Sequence, residues 1–197
     1  MNDLTPTRSL LIALGDERRT MREGYAFLDE KCLLLAGEML REVRRHQDLM
    51  QRYAVLEKSA RTALRGALAR HGLNGLQVFP AAAAPRGVEV KPRALLGVAL
   101  LDARWTATAG PQPPAVNPSP EAHACRAEYS RLTALLVEIA GVSTSLARLY
   151  AEYRRTVRRV RALQDVLLPE LDQDIADIDT RLEDLEREDA VASRRHV

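Results

Sequence analysis

The chain has 197 residues, 46% of them hydrophobic but only 4% aromatic, with 28% charged. One Trp, five Tyr and two Phe give little bulky filling for a rounded core, whereas Leu, Ala and Val interleaved with Arg and Glu is the composition of long amphipathic helices. A net charge of +2 is too near neutral to point to a nucleic-acid partner. The two cysteines, Cys32 and Cys125, fit no zinc or redox spacing and are too few for a disulfide scaffold, which makes a reducing compartment the default. No apolar stretch approaches the ~18 residues of a membrane span, and Asp3 and Pro6 do not suit a secretory leader. A soluble chain is expected, with any membrane role exerted through partners.

Proline divides the chain into helix, irregular middle and helix, because proline interrupts helical hydrogen bonding. After Pro6 the next proline is Pro80; eight fall between Pro80 and Pro120, and only Pro169 follows. The expected segments are 1–72, 73–119 and 120–197. In the first, alternate steps of three and four pick out Leu11, Leu14, Arg18, Met21, Tyr25, Leu28, Cys32, Leu35, Met39, Glu42, His46, Leu49, Tyr53, Leu56, Ala60, Ala63 and Ala67. Only Arg18, Glu42 and His46 break this heptad seam. Thr5 or Thr7 suits the N-cap, and the helix is expected to end near His71 and Gly72. At 1.5 Å per residue such a helix spans roughly 100 Å.

The middle segment contains Gly87 to Lys91 and Gly97 to Leu101, read as a small hairpin interrupted by Pro92. Ala81 to Ala84 and the Pro-rich run Ala107 to Pro120 read as flexible connections.

The third segment repeats the seam with Leu132, Leu135, Ile139, Val142, Leu146, Leu149 and Tyr153. Its phase then slips through Val157, Val160, Leu163 or Gln164, Leu167 and Leu171, which relaxes left-handed supercoiling, before Ile178, Leu182 and Leu185 resume it. Pro169 lies inside this helix and is expected to bend it. Two such helices fold back as an antiparallel coiled coil, so the fold class is all-α with a small β-hairpin in the middle of the chain. Charge selects the register. The acid-rich stretch from Glu170 to Asp189 would lie beside Arg8, Arg18, Arg19 and Arg22, and the arginines at 154, 155, 158 and 159 beside Glu30, Glu38 and Glu42.

Nothing in the sequence forms a catalytic constellation or a cofactor site: there is no Gly-rich phosphate loop, nucleophile elbow or His-Glu-x-x-His motif. His46 and Cys32 read as seam residues. Carboxylates two apart, such as Asp172 and Asp174, point to different helix faces and share a metal poorly. The arginine cluster from Arg154 to Arg161 reads either as a solvated face or as a docking surface for an acidic partner; no aromatics accompany it as they would for nucleic acid.

The ends carry a family resemblance. Pro6-Thr7-Arg8-Ser9-Leu10-Leu11 with Gly24-x-x-x-Leu28-x-x-Lys31 resembles the start of the D subunits of V/A-type rotary ATPases. Arg158-Arg159-Val160-Arg161-Ala162-Leu163, Leu168-Pro169-x-Leu171 and Leu182-x-x-Leu185-Glu186-Arg187-Glu188-Asp189 resemble the C-terminal block of that family, and Val88-Glu89-Val90 with Gly97-Val98 its hairpin. The resemblance implies a non-catalytic central-stalk shaft without cofactor or metal, coupling ATP synthesis or hydrolysis to proton or sodium transport. The implied partners are the catalytic and regulatory nucleotide-binding subunits of the ring, the small F subunit of the stalk, and the socket subunit above the membrane rotor ring. The implied location is cytoplasmic and peripheral, with no nucleic acid and no direct membrane insertion. Thr7, Arg8, Leu11, Leu182, Leu185 and Arg187 are the expected ring-facing or tip residues; Arg155, Arg158, Arg159 and Pro169 are the expected bearing surface. A prefoldin-like coiled-coil chaperone is the alternative reading.

Overall fold

The computed structural model describes residues 5–77, 79, 87–106 and 114–195. The order is helix α1 (Arg8–Gln77), strands β1 (Gly87–Leu95) and β2 (Val98–Thr106), helix α2 (Pro120–Ala162), a π-helical turn (Leu163–Leu167) and helix α3 (Leu168–Arg195). The expected connections at 81–84 and 107–113 lie outside the described residues, and Pro114 to Ser119 forms the entry to α2. Two compact units divide the chain: residues 1–34 with 153–197, and residues 35–152.

Helix α1 follows its heptad pattern closely: every seam position from Leu11 to Ala67 is buried or half-buried. Thr7 caps it, its Oγ1 accepting a hydrogen bond from the Leu10 N–H at 3.2 Å, one of the donors a helix start leaves without an intrahelical partner. Gly72 ends regular helical geometry with φ 66 and ψ 173, and a last turn runs on to Gln77.

In the unit of residues 35–152, Leu35, Leu49, Ala60, Ala67, Leu132, Val142 and Leu149 form much of the buried apolar set. Ser119 caps α2, accepting from the Ala122 N–H at 3.1 Å, and shares a 2.6 Å hydrogen bond with His71 Nε2. Phe79 stacks edge-on against His123, under the Arg126 guanidinium.

The hairpin is longer than its sequence suggested. β1 runs through Pro92, which stands opposite Leu101. Leu101 turns its own N–H away from β1, donating to Ser145 Oγ at 2.8 Å, so Pro92 occupies a pair that exchanges no strand hydrogen bond and its missing N–H costs nothing. The two-residue loop Leu96-Gly97 has φ of 49 and 84, both left-handed, as the turn that matches strand twist requires. Leucine is strained there. Replacing Leu96 with Asn, which tolerates this conformation, is expected to stabilise the protein by about 0.5–1 kcal/mol, read as a raised denaturation midpoint; an unchanged or lowered midpoint would count against the strain.

In the unit of residues 1–34 and 153–197, Leu14, Leu171 and Ile178 form a core flanked by Leu10, Leu11, Met21, Ile175 and Leu182. The phase slip has a structural cause. Pro169 cannot donate to the carbonyl of Asp165 and its ring crowds that group; the turn before it widens to π geometry, with the Leu168 N–H bonded to the Leu163 carbonyl. Of the two residues offered for one seam step, Leu163 is the half-buried one and Gln164 is exposed. Leu167, expected in the seam, is 40% exposed, because the wide turn rotates it outward.

One sequence expectation needs correction. The helical stretch Pro120–Arg194 does hold an eighteen-residue window of mean hydropathy 1.4. Of that window 28% is buried; in α2, Leu132, Val142 and Leu149 are buried, and Gly141, Ser145 and Arg148 seat the hairpin.

Candidate functional site

Three polar arrangements stand out. The first joins the chain ends. Arg8 pairs with Glu186 at 2.6 Å, while Arg18 and Arg22 both reach Asp172, at 3.2 and 3.6 Å. This is the pairing expected of the acid-rich stretch, and being exposed, each pair contributes little stability while favouring one alignment. Arg19 turns instead to Glu23 on its own helix. Leu11 and Leu182 pack against the core of this unit. Leu185 is exposed, and Arg187 pairs within its helix with Glu183 and Asp184 at 3.0 and 3.1 Å.

The second arrangement clasps the hairpin. Arg93 donates to Glu38 at 2.6 Å and to Glu42 at 3.1 Å; these carboxylate residues are only 3% and 5% exposed. Arg41 Nε adds a bond to Glu38 at 2.7 Å, and Arg45 bridges to Asp102 on β2 at 2.7 Å. Burial alone would push the Glu38 carboxyl up, but the hydrogen bonds from Arg93 and Arg41 outweigh it and hold the group below the usual carboxylate range. On the other side, the outward edge of β2 meets α2: Ser145 donates to the Leu101 carbonyl at 3.3 Å and Arg148 to the Ala99 carbonyl at 2.9 Å. A Cβ at Gly141 would lie 2.9 Å from the Ala103 Cβ, so only glycine lets strand and helix approach this closely. Side chains of α2 thus cover an edge that would otherwise be open to strand pairing.

The partners seen on Glu38 and Glu42 are Arg93, Arg41 and Arg45. No periodic rule reveals a contact between residues 55 apart in sequence.

The third arrangement is the arginine face itself. Arg155, Arg158 and Arg159 are exposed on α2, Pro169 is exposed on α3, and the π-helical turn between the two helices buries no residue. Both cysteines are buried, and burial pushes both thiols up, as for small structural hydrophobes. Among the described residues no group of three or more His, Cys, Asp or Glu is placed to hold a metal ion.

The comparisons with known proteins agree with these features. The family of ATP synthase D subunits matches residues 10–195. The D subunit of the V-type ATP synthase of Thermus thermophilus is 28% identical over 200 residues, covering 99% of this chain and 88% of that protein. Its counterpart in Anaeromyxobacter dehalogenans is 29% identical over 205 residues, covering 99% and 96%. The D subunit of the V-type proton ATPase of Arabidopsis thaliana is 41% identical over 69 residues, or 35% of this chain and 26% of that one. Neither the family match nor these relatives support a prefoldin-like chaperone. With nearly its whole length matched and its ends paired as the charge pattern requires, the chain belongs to the family of ATP synthase D subunits, the non-catalytic stalk components of V-type rotary ATPases.

Proposed function

We propose that this chain is the central shaft through which a V/A-type rotary ATPase couples ATP turnover in its nucleotide-binding ring to ion translocation across the membrane. The observation that carries this reading is the alignment of the two chain ends in one unit, with Leu14, Leu171 and Ile178 in the core and Arg8 on Glu186. A torque-bearing element needs two helices that cannot slide past each other, and a shared apolar seam with charge pairing supplies that resistance.

The paired end, with Thr7, Arg8, Leu11, Leu182, Leu185 and Arg187, enters the ring of catalytic and regulatory nucleotide-binding subunits. Arg155, Arg158, Arg159 and Pro169 form the bearing surface. The small F subunit binds the side, the hairpin touches the stalk's other subunits, and the far end meets the socket subunit above the membrane rotor ring. The functional segments are 1–72, 73–119 and 120–197, and the complex holds the chain peripherally on the cytoplasmic face. No residue of the chain takes part in bond-making; a shaft of uneven outline biases which ring subunit opens, a conformational effect on sites that lie elsewhere.

The test is affinity purification from the native host followed by activity measurement. Nucleotide-binding subunits should co-purify, and membranes lacking the chain should lose ATP-driven ion transport until it is restored. Recovery of the chain without nucleotide-binding subunits, or full coupling in its absence, would refute the reading. Deleting the hairpin while coupling stays intact would refute only its assigned contact.

A further inference from the structure

Glu38 and Glu42 are paired with Arg93 of the hairpin. At the end of α2, Arg158, Arg159 and Arg161 are all exposed, and among the described residues none of the three forms an ion pair. They point across one arc of the helix, with the small Ala162 between them. One turn further along the chain, the π-helical turn presents Val166 and Leu167, 47% and 40% exposed. Three arginines without an ion pair, which outnumber the exposed Asp165 of the next turn, together with exposed aliphatic side chains have the composition of an interface centre rather than of a solvated face.

We infer that this patch is a docking site for a carboxylate-rich segment of a neighbouring protein subunit, which places its acids on Arg158, Arg159 and Arg161 and an apolar side chain on Val166 and Leu167. The fork of an arginine matches a carboxylate bidentately, and a partner of opposite charge is the one that three unpaired guanidinium groups favour. A phosphate backbone would leave Val166 and Leu167 without use, and a membrane surface would need an apolar face several turns long, not one. The π turn is what brings the two halves together, because an uninterrupted α-helix would carry Leu167 round into the seam.

This inference rests on the stalk reading and is tested in the whole complex. A photo-crosslinking amino acid is placed at Val166, the complex is purified, and the crosslinked peptide is identified by mass spectrometry. The expected product is a segment of a neighbouring subunit rich in Asp and Glu. The R158E/R159E variant, with helicity confirmed by circular dichroism, should lower its yield about tenfold, and reversing two of the partner's acids to Lys should restore it. A crosslink to a segment poor in acids, or a yield indifferent to R158E/R159E, overturns the inference. So does binding of phosphatidylserine vesicles or single-stranded DNA by the purified chain that R158E/R159E abolishes. If nucleotide-binding subunits fail to co-purify, the stalk reading falls and takes this site with it; if they co-purify and the crosslink misses an acidic segment, only this site falls.

Discussion

Truncating Leu149 to Ala is expected to destabilise the protein by about 2–5 kcal/mol. Leu149 has 0% exposure, and it sits at a seam position of α2 between Ser145 and Thr156, polar residues that are themselves buried. Loss of its branched end leaves a void that a helix carrying the docked hairpin has little freedom to close, so both the transfer and the cavity contributions apply. Thermal unfolding followed by circular dichroism should show a midpoint lower by on the order of 5–15 °C. Ser143→Ala, at an exposed position of the same helix, serves as the control and should change stability by no more than about 0.5 kcal/mol. Equal small effects from both would mean that Leu149 does not anchor the core.

Replacing Arg93 with Met should cost about 2 kcal/mol near neutral pH. Removing one partner of a buried ion pair costs more than that in the limiting case, but the Arg93 side chain is 46% exposed, and Arg41 and Arg45 remain beside the two carboxylates. The pH dependence supplies the sharper test. The Glu38 carboxyl is held below its usual range by Arg93 and Arg41 against the opposing effect of burial. Its contribution is therefore fully present above the ordinary glutamate value of about 4.3 and drains away as pH falls further, through Glu38's own lower value. Arg93→Met removes most of that contribution at neutral pH, so the gap between wild type and variant should narrow in acid. Denaturant titrations at about pH 7 and about pH 3.5 would measure it, and a gap that stays constant would show that Arg93 acts by packing alone. Exchanging both Glu38 and Arg93 for Met should recover part of the loss, because the Glu38 charge is no longer buried without its partner, while Glu42 keeps only Arg45 beside it.

How far the fold could be foreseen depended on whether the cause was local. The seam from Leu11 to Ala67 was legible because burial in a two-helix fold forces a repeat of about 3.5 residues, and each of those positions is at least half-buried. The break at Gly72 and the cap at Thr7 were legible for the same reason, since backbone conformation and capping act within one turn. The π-helical turn was visible only as a slip in spacing; that the slip would take the form of a wide turn before Pro169 followed from hydrogen bonding the pattern does not encode. Pro92 misled in the other direction. It looked like a strand breaker, and only the pairing of Leu101 with Ser145 explains why it breaks nothing. The surface residues were least legible, because heptad periodicity says which side chains face inward and is silent about what meets those that face outward.

The clasped hairpin has a consequence for a molecule built on repetition. Heptads of Leu and Ala resemble one another, and two such helices could settle a whole repeat out of step with little loss of apolar contact. A shift of seven residues would bring Lys31 and Leu35, or Arg45 and Leu49, to Arg93, and would put Glu138 or Glu152 where Ser145 now meets Leu101. Each mismatch buries an uncompensated charge or leaves the Leu101 carbonyl without its hydroxyl donor. The hairpin works as an indexing pin, admitting a single one of the near-equivalent settings and so denying the two helices the slippage their own repeats would tolerate.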